Sequence, residues 1–164
     1  MQTVLAIDGM GGDHAPLSVI EGLVLAAKQF PRAHFLLYGL EGVLRPLLAD
    51  HPQLSDVVTL VPCTEVVDAH TKPSAAIRGL KDASMRRAIL AVREGEAAGV
   101  VSAGNTGALM VLTKIILGTL EGIDRPAIGG LVPTINGPRV MLDLGANTDV
   151  TSENYAQFAL MGMA

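Results

Sequence analysis

Val4-Leu5-Ala6-Ile7-Asp8-Gly9-Met10-Gly11-Gly12-Asp13-His14-Ala15-Pro16 decides the fold. A short aliphatic run ends at an aspartate and breaks into glycines, the pattern of a buried strand running into a turn. Asp13 and Pro16 then open a helix, because proline is tolerated in a first helical turn. Ile20, Leu23, Val24 and Ala27 follow at i, i+3, i+4 and i+7, one apolar helix face that Pro31 closes. Strand, turn and helix in that order are the opening unit of an α/β sheet.

The alternation continues. Strands are expected at Phe35–Tyr38, Val57–Val61, Val100–Val101, Ala127–Val132 and Val140–Leu144. Helices are expected over 41–50, 74–80, 84–98 and 108–117, and from Thr151 onward. Thr64–Lys72 is polar and irregular, and Asn136-Gly137 is a hairpin signal. The pattern predicts an α/β three-layer sandwich with a largely parallel sheet, in a single domain over 1–164. The last helix still runs at Ala164 without a closing glycine or a basic last turn, so the chain reads as the N-terminal part of a longer enzyme.

Composition narrows the function. Hydrophobic residues make up 49% of the 164 and charged residues 17%, enough for a core and too apolar for disorder. Aromatics are only 3%, so the strands are aliphatic, which suits a parallel sheet covered on both faces. A net charge of −4 and the shortage of stacking side chains exclude a nucleic-acid binder. The one cysteine, Cys63, excludes a disulfide framework and a thiolate zinc cluster, and His14, His34, His51 and His70 have no metal-ligand spacing. No long apolar run or basic leader is present, and the expectation is a soluble, cytoplasmic protein.

Ligands of open parallel sheets bind at the carboxyl ends of strands. Three polar glycine turns are expected there: Asp8–His14, Ser102-Ala103-Gly104-Asn105-Thr106-Gly107, and Asp143-Leu144-Gly145-Ala146-Asn147. Glycine lets backbone approach an anion, and a following helix offers free N–H groups and a positive dipole end. Several standard motifs fail. The first turn has His14 where a dinucleotide fingerprint needs its last glycine, and no glycine is followed by Lys and Ser/Thr as a P-loop requires. The glycine before Ser102 lies one position too early for a nucleophile elbow, and Cys63 has no local histidine to activate it.

Ile7–Pro16 resembles the N-terminal signature of bacterial phosphate acyltransferase, the acyl carrier protein:phosphate transacylase of phospholipid synthesis. Val101–Met110, Leu120–Ala127 and Leu142–Asn147 match that family in the same order, as does Lys72-Pro73-Ser74-Ala75-Ala76-Ile77-Arg78 ahead of Ser84-Met85-Arg86. The resemblance implies a fold like that of phosphotransacetylases and isocitrate dehydrogenases. It implies transfer of a long-chain acyl group from acyl carrier protein to inorganic phosphate, giving acyl phosphate. It also implies a homodimer, peripheral association with the membrane acyltransferase that uses acyl phosphate, no cofactor, and a family length about twice that of this chain.

Phosphate is already a nucleophile near neutral pH and a thiolate leaves readily, so neither an activated serine nor a metal is needed. The chemistry needs positioning and an oxyanion hole. Asn105, Thr106 and His14 are the catalytic candidates. Gly11, Gly12, Asp13, Gly104, Gly107 and Asn147 are the phosphate-binding ones, while Asp8 and Asp143 are expected to orient donors. Lys72, Arg78, Lys81, Arg86, Arg87 and Arg93 cluster over a short span with only Asp82 to offset them, a landing patch for an acidic carrier protein or a solvated helix face. Two other functions remain open: a phosphate acetyl- or butyryltransferase using coenzyme A, and an inert anion-binding fragment.

Overall fold

The computed structural model describes residues 2–163. The element order is β1 (Thr3–Asp8), α1 (Leu17–Gln29), β2 (Ala33–Leu40), α2 (Glu41–Ala49), β3 (Val58–Cys63), α3 (Pro73–Arg78), α4 (Ser84–Arg93), β4 (Gly99–Val101), α5 (Thr106–Leu117), β5 (Gly130–Val132), β6 (Arg139–Met141) and α6 (Ser152–Met163), with a 3-10 turn at Pro52–Leu54. The contacts gather into two compact units, Met1–Leu117 and Gly118–Ala164.

The first unit carries a parallel four-stranded sheet in the order β3-β2-β1-β4. Alternate side chains of a strand point to opposite faces, and each face has its own core. Ile7, Phe35 and Leu37 bury against Ile20 and Leu23 of α1 and Leu44 of α2. Ala6 and Tyr38 face the other way, onto Ala88 and Ala91 of α4. This is the expected three-layer α/β arrangement. A further cluster joins Ala76 of α3, Met85 and Ile89 of α4, and Leu112 and Ile116 of α5.

The path of the chain places the site. It moves outward from β1 to β2 to β3, then returns across the sheet so that β4 pairs on the opposite side of β1. The strand order therefore reverses between β1 and β4, the point at which open α/β sheets leave a crevice beyond their carboxyl ends.

Several element ends differ from expectation for local reasons. The α1 helix starts at Leu17 rather than near Asp13, because residues 12–16 make a separate turn in which Ala15 N–H donates to the Gly12 carbonyl. The α4 helix ends at Arg93 instead of running to residue 98. Gly95 stands at φ +78°, its N–H donates to Val92 O, and Glu96 N–H donates to Ala91 O, a Schellman ending.

In the second unit β5 and β6 pair with each other, antiparallel, around the Thr134–Gly137 turn. The hairpin signal at Asn136-Gly137 is thus realised, with Gly137 at φ +90°. The strands are shorter than expected and form their own two-stranded sheet, so the turn Asp143–Asn147 does not follow a strand of the parallel sheet. Thr151 and Asn154 exchange side chain-to-backbone hydrogen bonds across the first turn of α6, a capping-box geometry. The expected run to Ala164 ends outside the described residues.

Candidate functional site

The turns after β1 and β4 meet. The strands pair through Ile7 and Val101, and the chains leaving them stay in contact. A Cβ built on Gly11 would stand 2.8 Å from Gly104 N, 2.6 Å from Asp8 Oδ2 and 2.9 Å from Ser102 Oγ, so only glycine allows this approach. Gly12, at φ +115°, lies against Ala103.

Asp8 ties the turns together. It is buried, with 3% of its surface exposed. Its Oδ1 accepts from Ser84 Oγ at 2.6 Å and its Oδ2 from Ser102 Oγ at 2.7 Å, while Met10 N–H donates at 3.3 Å. Ser102 Oγ in turn accepts the Gly104 N–H at 3.1 Å. One carboxylate thus joins β1, the start of α4 and the β4–α5 turn.

Beyond these turns lies a cleft of about 660 Å3, lined by Gly12, Asp13, residues 66–70 and the run Ala103–Gly107. Asn105 sits before the first residue of α5 and holds the opposite wall. Its Oδ1 caps the helix by accepting the Ala108 N–H at 2.9 Å. Its amide nitrogen donates to the carbonyls of Ala69 at 2.9 Å and Thr71 at 3.1 Å, with a longer approach to Asp68 O. Within the segment, Asp68 Oδ1 accepts the His70 N–H and Thr71 Oγ accepts the Asp68 N–H. With Asn105 taking Ala108 N–H on its side chain and Leu109 N–H on its carbonyl, the amides of Thr106 and Gly107 have no intrahelical acceptor.

These placements sort the expected residues. Gly11, Gly12, Asp13, Gly104, Asn105, Thr106 and Gly107 come together at one edge of the sheet. The Asn105 amide is engaged by the 68–71 carbonyls and the Gly104 N–H by Ser102, whereas the Thr106 and Gly107 amides at the start of α5 are free to donate. His14 is exposed in the first turn and is not among the lining residues, whereas His70 is. Ser84 and the 66–71 wall were not singled out in the sequence. Ser84 lies 76 residues from its partner Asp8, and no local pattern marks such a pair.

Asp143 and Asn147 belong to the second unit. Asp143 accepts from Ile128 N–H, Ala146 N–H, Asn147 N–H and the Asn147 amide. Partial burial pulls its carboxyl upward, but the bonds from Ile128, Asn147 and Ala146 outweigh that and hold it below the usual carboxylate range. The Asn147 amide also donates to Pro126 O, so both residues brace the 143–147 turn against the 126–128 segment that precedes β5.

The basic cluster divides. Lys72, Arg78 and Lys81 are exposed. Arg86 donates to the Ile77 carbonyl, and Arg87 pairs with Asp82 at 2.5 Å. Asp82 is held below its ordinary value first by the Thr64 hydroxyl and then by Arg87. Arg93 pairs with Glu94 at 3.3 Å. Cys63 is buried, and desolvation pushes its thiol up to about 11, so it stays protonated. Among the described residues no helix is long and apolar enough to cross a membrane.

The profile of a family described as fatty acid synthesis protein matches residues 3–164. The chain is 50% identical over 159 residues to a phosphate acyltransferase of Rhodospirillum rubrum, covering 97% of this chain and 46% of that protein. It is 54% identical over 159 residues to a phosphate acyltransferase of Granulibacter bethesdensis, covering 97% and 43%. The chain spans about half the length of the curated relatives it matches. A crystal structure of a phosphotransacetylase from Streptococcus pyogenes matches with a TM-score of 0.69 at 19% identity, over 97% of this chain and 52% of that one, a likeness of fold.

Proposed function

The chain belongs to the fatty acid synthesis protein family, and from that premise we propose that it works in the transfer of a fatty acyl group from a carrier thioester to inorganic phosphate. The observation that carries the reading is the contact of the two glycine turns at the switch point of the sheet, with the start of α5 opening on the cleft. Among the described residues no lysine or arginine lines that cleft, so attraction for an anion there comes from unpaired amides and the helix dipole.

In this reading phosphate sits against the Thr106 and Gly107 amides. A phosphate oxygen attacks the thioester carbonyl carbon, and the carbonyl electrons move onto oxygen. The same face of donors stabilises that oxyanion. When the carbonyl re-forms, the carbon–sulfur bond breaks and the thiolate leaves with its electron pair, to be protonated from solvent. The products are acyl phosphate and free carrier thiol. Asn105 acts as a positioning residue by clamping the cleft wall to α5, and the His70 imidazole in that wall is placed to hold or pass a proton. Lys72, Arg78 and Lys81 form the landing surface for an acidic acyl carrier protein, since exposed charge acts on encounter and its salt dependence.

The test is to mix the protein with phosphate and either palmitoyl carrier protein or palmitoyl coenzyme A, trap acyl phosphate with hydroxylamine, and count released thiol. Thiol release that requires phosphate, yields acyl phosphate and is faster from the carrier supports the proposal. Thiol release independent of phosphate rejects it. Phosphate binding with no acyl phosphate from either donor reduces the chain to an anion-binding module.

A further inference from the structure

A second cavity shares a wall with the cleft. It is a groove of about 480 Å3 between α1 and the face of β1 and β4, and Ala103 lines both it and the cleft. Its polarity runs in one direction. Asp8, Ser18 and Ser102 stand at the end nearest the glycine turns, and Asp8 and Ser102 are already bonded to each other. From there the wall is apolar, through Val19, Leu23, Ile7 and Leu5 to Phe35 and Phe30. Ser18, Gly22, Ala26 and Phe30 recur every fourth residue and so form one stripe along α1, about 18 Å long at 1.5 Å per residue. Gly22 widens the middle of that stripe, since a Cβ there would meet nothing within 4 Å. Val101, half exposed on β4, forms the opposite lip.

We infer that this groove holds the hydrocarbon tail of the acyl substrate, with the carbonyl end at Ala103 facing the cleft. The inference rests on the acyl-transfer reading of that cleft. An amphiphile needs a polar end and a long dry end in line, and the groove supplies both in that order. A rival occupant, a second copy of this chain, does not need polar groups gathered at the end beside the cleft. Each methylene that leaves water tightens binding by about fourfold, so the groove makes affinity depend on chain length.

The experiment titrates wild type, Gly22→Leu and Val101→Glu with saturated fatty acids from butyrate to palmitate, below their micelle concentrations, by displacement of a fluorescent fatty acid. Gly22→Leu fills the groove with a better helix former, so the fold is kept. Val101→Glu adds a charge at a solvent-exposed lip and leaves the core alone. Wild-type affinity should climb with chain length, and each variant should lower palmitate affinity at least tenfold while butyrate and inorganic phosphate bind as before. Equal binding of butyrate and palmitate by wild type, or wild-type palmitate affinity in both folded variants, overturns the proposal. So does a change in self-association with palmitate binding intact, which would assign the groove to a second copy. Chain-length-dependent binding that the variants abolish, in a protein forming no acyl phosphate, upholds the groove while the transfer reading fails.

Discussion

A methyl group at position 11 has nowhere to go. Its neighbours would be the Gly104 backbone and the Asp8 and Ser102 side-chain oxygens, which are held in place by their bond to each other and by those to Ser84 and the Gly104 N–H. Gly11→Ala should therefore cost about 1–3 kcal/mol, as overpacking does, and should part the two turns. A urea midpoint measures the first effect, and loss of phosphate binding the second. Ser102→Ala takes a donor from buried Asp8 and the acceptor from Gly104 N–H, whereas Ser84→Ala takes a donor from Asp8 alone. Each should cost about 1–3 kcal/mol, and Ser102→Ala should weaken phosphate binding more; equal loss in the two variants would show that the Gly104 contact is irrelevant to the anion. In the second unit, the lowered Asp143 carboxyl contributes stability above the ordinary carboxylate value of about 4 and loses it as pH falls through the folded value. Amide exchange at Ile128 and Asn147 should accelerate on that acid limb in wild type. Asp143→Asn should flatten the limb, and an unchanged limb would assign the acid sensitivity elsewhere. At this scale the sequence displayed Asp8 and the glycines, because turns are local; it hid Ser84, because the fold alone brings that hydroxyl to Asp8.

Among the elements, α5 and the segment before α3 are coupled through one side chain. Asn105 caps the helix with its oxygen and ties the segment with its nitrogen. Asn105→Asp keeps an oxygen for Ala108 and removes the donor, placing negative charge against the Ala69 and Thr71 carbonyls. The variant should keep the start of α5 and release residues 68–71, read as faster exchange at Thr71 with little change at Ala108 or Leu109. If turnover also falls by about two orders of magnitude, the loss belongs to positioning rather than to direct ligation. Unchanged exchange at Thr71 would remove the clamp. Most elements were legible, because aliphatic runs and helical periodicity carry them. The element ends were not: α1 begins late because residues 12–16 close a turn of their own, and α4 ends early because Gly95 adopts a positive φ, and neither event has an apolar period to announce it.

For the molecule as a whole, sheet order carries the functional argument. Strand–helix alternation predicted a parallel sheet; the chain returns so that β4 pairs on the far side of β1, and it is this reversal that sets the first two glycine turns side by side. The third turn looked the same in sequence and lies after an antiparallel hairpin in the second unit, since a glycine turn does not reveal which sheet its strand joins. If the turns after β1 and β4 make one anion site, a titration with inorganic phosphate followed through the backbone amide resonances shows it. The Gly11–Asp13 and Gly104–Gly107 amides should shift together along one saturating curve, with Thr106 and Gly107 moving furthest. Saturating shifts confined to another region, such as the loop around Arg125, with those amides still, would contradict it.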